Sequence, residues 1–179
     1  MIKIFNRYAI VAACVYLIAC SSVNVVTDYD HSASFDRYKT YSLVPSTDQL
    51  PLSPSGEGAL RDSLRTHLGS RGLTEVSENA DIHVVRHVST KEKVTVHQSP
   101  GVPYPYGRYG MWAGAPSMYT DVTQYTEGTL ILDFVDAKTQ KLVFRGTITG
   151  TVGKPETNAE RIREGVEKIV QDYPAAVAH

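Results

Sequence analysis

His83 and His87 are the first residues in this 179-residue chain whose types and spacing invite chemistry. On a helix, imidazoles at i and i+4 chelate a metal; on a strand they lie about 13 Å apart at ~3.3 Å per residue. The neighbours decide between the two. Ile82, Val84 and Val88 alternate with His83, Val85 and His87, which is a strand period, so the histidines belong to its polar face. His97, on the segment that follows, could join one of them, yet no cysteine or carboxylate cluster at ligand spacing completes a zinc set. These are read as solvated histidines, with no metal and no cofactor expected.

Asp133 and Asp136, with Glu127 nearby, are the next candidates, as the paired carboxylates that glycoside cleavage requires. Asp136, however, begins a hairpin turn, where its side chain can bond nearby backbone. Asp133 alternates with apolar residues and is expected to point to water, within reach of Arg145 across the hairpin. No serine sits on the strained turn that exposes a nucleophile. No catalytic set emerges, and the chain reads as a non-enzyme.

Cys20 offers covalent chemistry of another kind. Lys3 and Arg7 form a basic start without an acid, and Tyr8 to Ala19 is a short apolar core. That pattern is a secretory signal peptide over residues 1–19. The core falls short of the ~20 apolar residues that a membrane-spanning helix needs. Leu17-Ile18-Ala19-Cys20 resembles a bacterial lipobox, which implies cleavage before Cys20 and lipid on its sulfur and new amino group. One acyl chain holds a protein only marginally, whereas two or more hold it stably. Ser21, rather than an acid, follows the cysteine; by analogy with Gram-negative sorting this favours the outer membrane, with the domain facing the periplasm.

The third unusual set is aromatic. Between Ser99 and Tyr119 stand Tyr104, Tyr106, Tyr109, Trp112 and Tyr119, interleaved with four prolines and four glycines. No helix or strand period survives this punctuation, so 99–120 is expected to be a loop of a length usually reserved for function or disorder. Its rings could stack on sugars, anchor a protein partner, or rest at a membrane headgroup region. They could equally fold back on the domain.

The elements that must position these residues are legible around them. Val23 to Asp30 and Tyr38 to Val44 read as strands, and Pro45 to Gly58 as a connection. Leu60, Leu64 and Leu68 form one helical stripe over 57–71, capped near Ser55 and closed by Gly72, with Leu73 folding back. Lys91 to Gln98 reads as the hairpin partner of the 82–88 strand. Leu130, Leu132 and Phe134 line another strand, and Gly128 marks a bulge or a close backbone approach. After the turn at 136–140, Leu142, Phe144, Gly146, Ile148, Gly150 and Val152 face one way. Lys141, Arg145, Thr147, Thr149 and Thr151 face the other. A last helix starts at Thr157, which makes a capping box with Glu160. It buries Ile162, Val166, Ile169, Val170 and Tyr173, carries a Glu164–Lys168 pair, and stops at Pro174.

Two helices with single apolar stripes can both cover the buried face of that sheet. The expected fold is therefore α+β: a two-layer sandwich with a mostly antiparallel sheet of five to six strands and both helices on one face. Residues 20–179 suit one domain. With Cys14 lost in the leader and Cys20 lipidated, no internal disulfide can form. The net charge of −1 becomes −3 once the two cations Lys3 and Arg7 leave. Such a domain has no electrostatic footprint for nucleic acid.

Val26-Thr27-Asp28-Tyr29-Asp30, Phe35 and Tyr38-Lys39-Thr40-Tyr41 resemble the opening of the domain-of-unknown-function 4136 lipoproteins. Tyr125-Thr126-Glu127-Gly128-Thr129-Leu130, then Asp133, Asp136 and Leu142-Val143-Phe144-Arg145-Gly146, resemble their closing hairpin, and the last helix ending in Tyr173-Pro174 fits too. Leu43 and Phe144 stand where that family often has tryptophan. The resemblance spans nearly the whole mature chain and implies an envelope lipoprotein, without implying an activity. The functional expectation is a non-catalytic structural or interaction module, held to the membrane through Cys20 and meeting an envelope protein or peptidoglycan. The alternative is a binder whose aromatic loop takes a glycan, a peptidoglycan fragment or a small apolar ligand.

Overall fold

The computed structural model describes residues 23–45, 50–100 and 118–174. Six strands form one sheet in the order β1-β6-β5-β4-β2-β3. They are β1 (Asn24–Tyr29), β2 (Thr40–Val44), β3 (Thr74–Glu75), β4 (Ile82–Pro100), β5 (Met118–Asp136) and β6 (Leu142–Thr151). Neighbours are antiparallel except that β2 runs parallel to both β3 and β4. A parallel return needs a crossover, and helix α1 (Pro54–Ser70) supplies it between β2 and β4. Helix α2 (Pro155–Asp172) follows β6 and packs on α1, β1 and β6. The expected α+β two-layer architecture is the observed one.

The layer between helices and sheet is the core. Leu60, Leu64 and Leu68 from α1 and Ile162, Val166, Ile169 and Val170 from α2 meet Ile82, Val84, Leu132, Phe134 and Phe144. Tyr173, just past α2, centres an aromatic cluster, its ring 5.3 Å from Phe35, 5.6 Å from Phe134 and 5.2 Å from Phe144. The alternation of β6 requires small residues where α2 approaches. A Cβ on Gly146 would stand 2.6 Å from Ile169, and one on Gly165 would stand 2.5 Å from Ile148. Strand and helix thus exchange isoleucines into each other's glycine gaps, which sets their separation.

Helix boundaries follow local chemistry. Ser53 caps α1, its Oγ accepting from the Gly56 amide at 3.2 Å. At the other end Gly72 adopts φ +84°, and the Leu73 amide returns to the Leu68 carbonyl at 3.0 Å. Helix α2 begins at Pro155, ahead of Thr157, and its N-cap is Lys154, which offers no side-chain acceptor. Proline suits a first helical position because its missing N–H would be unpaired there anyway. The expected Thr157–Glu160 capping box gives way to it. Asn158 instead closes the approach, accepting from Gly153 N at 2.8 Å and donating to Gly153 O at 3.0 Å. The Glu164–Lys168 pair forms at 2.9 Å.

The strands correct four expectations. Residues 91–98 do not turn back on 82–88 but continue it as one 19-residue strand whose partner is β5. Ser89 and Thr90 carry no turn chemistry, and the strand runs on through the polar stretch 89–93 to Val94 and Val96. Pairing is also continuous through Gly128, where a Cβ would stand 3.0 Å from Val152, so the site is a close approach; the bulge lies in β6 instead, where Val143 is the extra residue opposite Phe134 and Val135. That bulge turns Val143 inward and leaves Leu142 42% exposed, and Val152, past the strand end, is 41% exposed. Finally, Asp133 is buried, not solvated, because Arg145 covers it.

Candidate functional site

Two features stand apart from what the core requires, and both lie where the helices begin. The first is a ribbon. Strand β2 accompanies β4 only as far as Val85, and β6 accompanies β5 only from Glu127 onward. Beyond those points, 92–100 and 118–126 are in register only with each other among the described residues, from Glu92↔Thr126 out to Pro100↔Met118, and Val152 N donates to Thr126 O at the base. The ribbon projects about 30 Å at ~3.3 Å per residue. Val94, Val96 and Val122 are 60%, 54% and 59% exposed, with Val96 directly opposite Val122. By the two-residue period they continue the face that carries Ile82, Val84 and Val88 in the body of the sheet. Lys93 pairs with Glu127 at 3.2 Å near the base. Unpaired strand edges beside exposed valines are a template for another surface.

The second feature is a half-open cavity of about 220 Å³ at the base of the ribbon. Its walls include Val23, Leu52, Val88, Leu130, Ile148 and Ile162. Ser53 and Pro155, where α1 and α2 start, line it too, as do Asn158 and Arg161. Arg161 donates through Nη1 to the Thr151 carbonyl, while its Nε is buried without a hydrogen-bond partner among the described residues.

The carboxylates singled out by the sequence are structural. Arg145 grips Asp133 with two parallel bonds, Nε to Oδ1 and Nη2 to Oδ2, both 2.6 Å, and His87 Nε2 stands 3.7 Å from Asp133 Oδ2. Asp28 is the register partner of Arg145 on its other side, so a row of alternating charge crosses the outer face of the sheet. Asp136 accepts from the Lys138 and Thr139 amides at 2.9 and 2.8 Å, from Tyr38 Oη at 2.9 Å, and from Arg37. Burial alone would raise its pKa, but the Thr139 amide, Tyr38, the Lys138 amide and Arg37 together hold the carboxyl well below the usual range. Four donors on one carboxylate fix the β5–β6 turn. His83 is far from any ligand set, its Nδ1 sharing a 2.8 Å hydrogen bond with Ser42 Oγ. Among the described residues no group of three or more His, Cys, Asp or Glu converges.

Of the residues read as interacting, Tyr119 falls in β5 opposite Ser99. Tyr104, Tyr106, Tyr109 and Trp112 lie outside the described residues, as does Cys20. The expected loop at 99–120 is shorter than the sequence implied: Ser99, Pro100 and Met118 to Thr120 belong to the ribbon. The ribbon's length is hidden in the sequence, because the apolar alternation lapses over 89–93 before Val94 and Val96 resume it. The cavity is hidden too, because it arises from where two helix starts cross the sheet.

This is a two-layer α+β domain whose sheet outruns its helices. The family model for a domain of unknown function, DUF4136, matches residues 25–175, and the chain belongs to that family. A DUF4136 family protein from Bacteroides thetaiotaomicron is 19% identical, with 87% of this chain and 97% of that one covered at a TM-score of 0.52. A PDZ domain protein from Parabacteroides distasonis is 11% identical at a TM-score of 0.55, with 86% of this chain covered. This chain spans only 36% of that protein's length. The PelC dodecamer from Paraburkholderia phytofirmans is 12% identical, with 82% and 96% covered at a TM-score of 0.43. These likenesses concern the fold. No curated protein matches the chain.

Proposed function

We propose that this protein is a non-catalytic lipoprotein of the outer membrane, held by lipid on Cys20, that works as an interaction or structural module of the cell envelope. The observation that carries the reading is the ribbon, with its free strand edges and its exposed Val94, Val96 and Val122. A two-stranded ribbon standing alone in water is marginal, and a partner strand or surface would complete it. The test is site-specific photo-crosslinking in intact cells from Val94 and from Val122, with Arg163 on the exposed side of α2 as the control position. A discrete crosslinked species from the ribbon positions alone supports the reading; equal or absent products at all three overturn it. For the anchor, Cys20→Ala should abolish incorporation of labelled fatty acid and free the protein from the outer-membrane fraction. Retention of the variant there would mean that lipid is not the main tether.

A second reading, a binder of a small apolar ligand, is favoured by one observation of its own, the cavity at the base of the ribbon.

A further inference from the structure

We propose that this cavity is a binding site for a fatty acid, with the chain inside and the carboxylate at Arg161. The proposal specifies the ligand of the second reading and depends neither on the ribbon nor on the lipid at Cys20. Three properties support it. The walls are apolar: Leu52, Val88, Leu130, Ile148 and Ile162 leave water inside few hydrogen-bond partners. A volume of 220 Å³ exceeds the ~150 Å³ at which an apolar cavity takes a guest the size of benzene.

The cavity is half-open, so a chain can enter and leave its head group at the rim. Arg161 brings a positive charge to the lining. Arg161 Nε is buried with no hydrogen-bond partner among the described residues, and a buried donor left unmet is costly. A carboxylate there would accept from the Arg161 guanidinium in a charge-assisted bond. An uncharged chain would use the walls but leave Arg161 as it is. The walls thus select an alkyl chain and the rim selects its anionic head.

The test uses the full chain carrying Cys20→Ala, so that its own acyl groups and detergent are both absent. Titration with [1-13C]decanoate, followed by NMR of the carboxyl carbon, should show saturable binding. Val88→Trp and Thr90→Trp, which fill the cavity from the wall and from the rim, should each weaken it at least tenfold. Thermal melts would establish that each variant is folded. Arg161→Gln should weaken decanoate at least fivefold while leaving decanol unchanged, and Arg161→Lys should recover most of the preference. Non-saturable binding, insensitivity to both tryptophan variants, or equal loss of decanoate and decanol in Arg161→Gln would each overturn the proposal. Crosslinking from the ribbon is unaffected by these outcomes, so the two readings fail separately.

Discussion

Replacing Gly165 with alanine sets helix propensity against packing, and the sign of the result decides which governs α2. Glycine inside a helix is less favourable than alanine by about 0.8–1 kcal/mol, so propensity alone predicts stabilisation. The structure predicts the reverse. A Cβ at Gly165 would stand 2.5, 2.7 and 2.8 Å from Cδ1, Cγ1 and Cγ2 of Ile148. Carbon contacts are comfortable at ~3.5–4.0 Å, so the helix or the strand must move by about 1 Å. Overpacking of this kind costs typically 1–3 kcal/mol. After the propensity gain a net loss of up to about 2 kcal/mol remains, which lowers Tm by as much as ~8 °C for a domain this size. Gly58, with nothing within 4 Å of its would-be Cβ, is the matched control, and Gly58→Ala should raise Tm by a few degrees. The cycle closes with Ile148→Ala, which removes all three clashing atoms; in that background Gly165→Ala should become stabilising. Thermal melts and denaturant midpoints of the four proteins measure the coupling. A Gly165→Ala variant as stable as Gly58→Ala would refute the interlock of α2 with β6.

Ile169→Asp should be severely destabilising, because it puts an unpaired charge on the fully buried face of α2. Lys168→Asp, which turns the half-exposed i,i+4 pair with Glu164 into a like-charge pair, should cost about 1 kcal/mol, and equal melting temperatures would contradict that assignment. Asp136 has a folded pKa below the ordinary 3.8, so its contribution is present above that pH and is lost as the pH falls beneath it. Asp136→Asn should therefore cost roughly 1–3 kcal/mol at neutral pH and flatten the loss of stability between pH 5 and pH 3 in denaturant titrations. Parallel pH profiles for variant and parent would argue against the four-donor carboxylate. Deleting Pro103 to Ala113 should leave Tm nearly unchanged while weakening ribbon crosslinks; a large loss of Tm would show that those rings serve the core.

What the sequence disclosed, and what it hid, follows from the range of the interactions. The two helical stripes, the turn at Asp136 and the cross-strand Asp133–Arg145 pair are local or near-local, so periodicity and turn chemistry reveal them. Gly146 and Gly165 read merely as strand and helix glycines, because their reason is a facing isoleucine on another element. Helix α2 starts two residues before the Thr157 capping signal because Pro155 at the first helical position is a stronger constraint. Asp133 was expected in water because its position alternates outward. That rule assigns a face without saying whether a neighbour such as Arg145 covers it. The cavity has no sequence signature, since its wall residues are scattered from Val23 to Ile162.

The direction of the chain at its first described residue ties the ribbon to the proposed anchor. Val23 and Asn24 lie together with Tyr125, Glu127 and Thr149 to Thr151, at the end of the sheet from which the ribbon departs. Cys20 is three residues further back and can stand no more than about 10 Å from Val23, since an extended residue spans at most ~3.6 Å. On the proposed lipid anchor, the membrane therefore lies on the ribbon's side of the domain, with the C-terminal ends of both helices turned away from it. A ribbon of about 30 Å exceeds that tether, at ~3.3 Å per residue over nine residues. The domain must then lean so that the ribbon runs along the bilayer surface, or present it to a partner held in the membrane. Either arrangement brings the exposed valines of the ribbon, Val94, Val96 and Val122, to the membrane boundary.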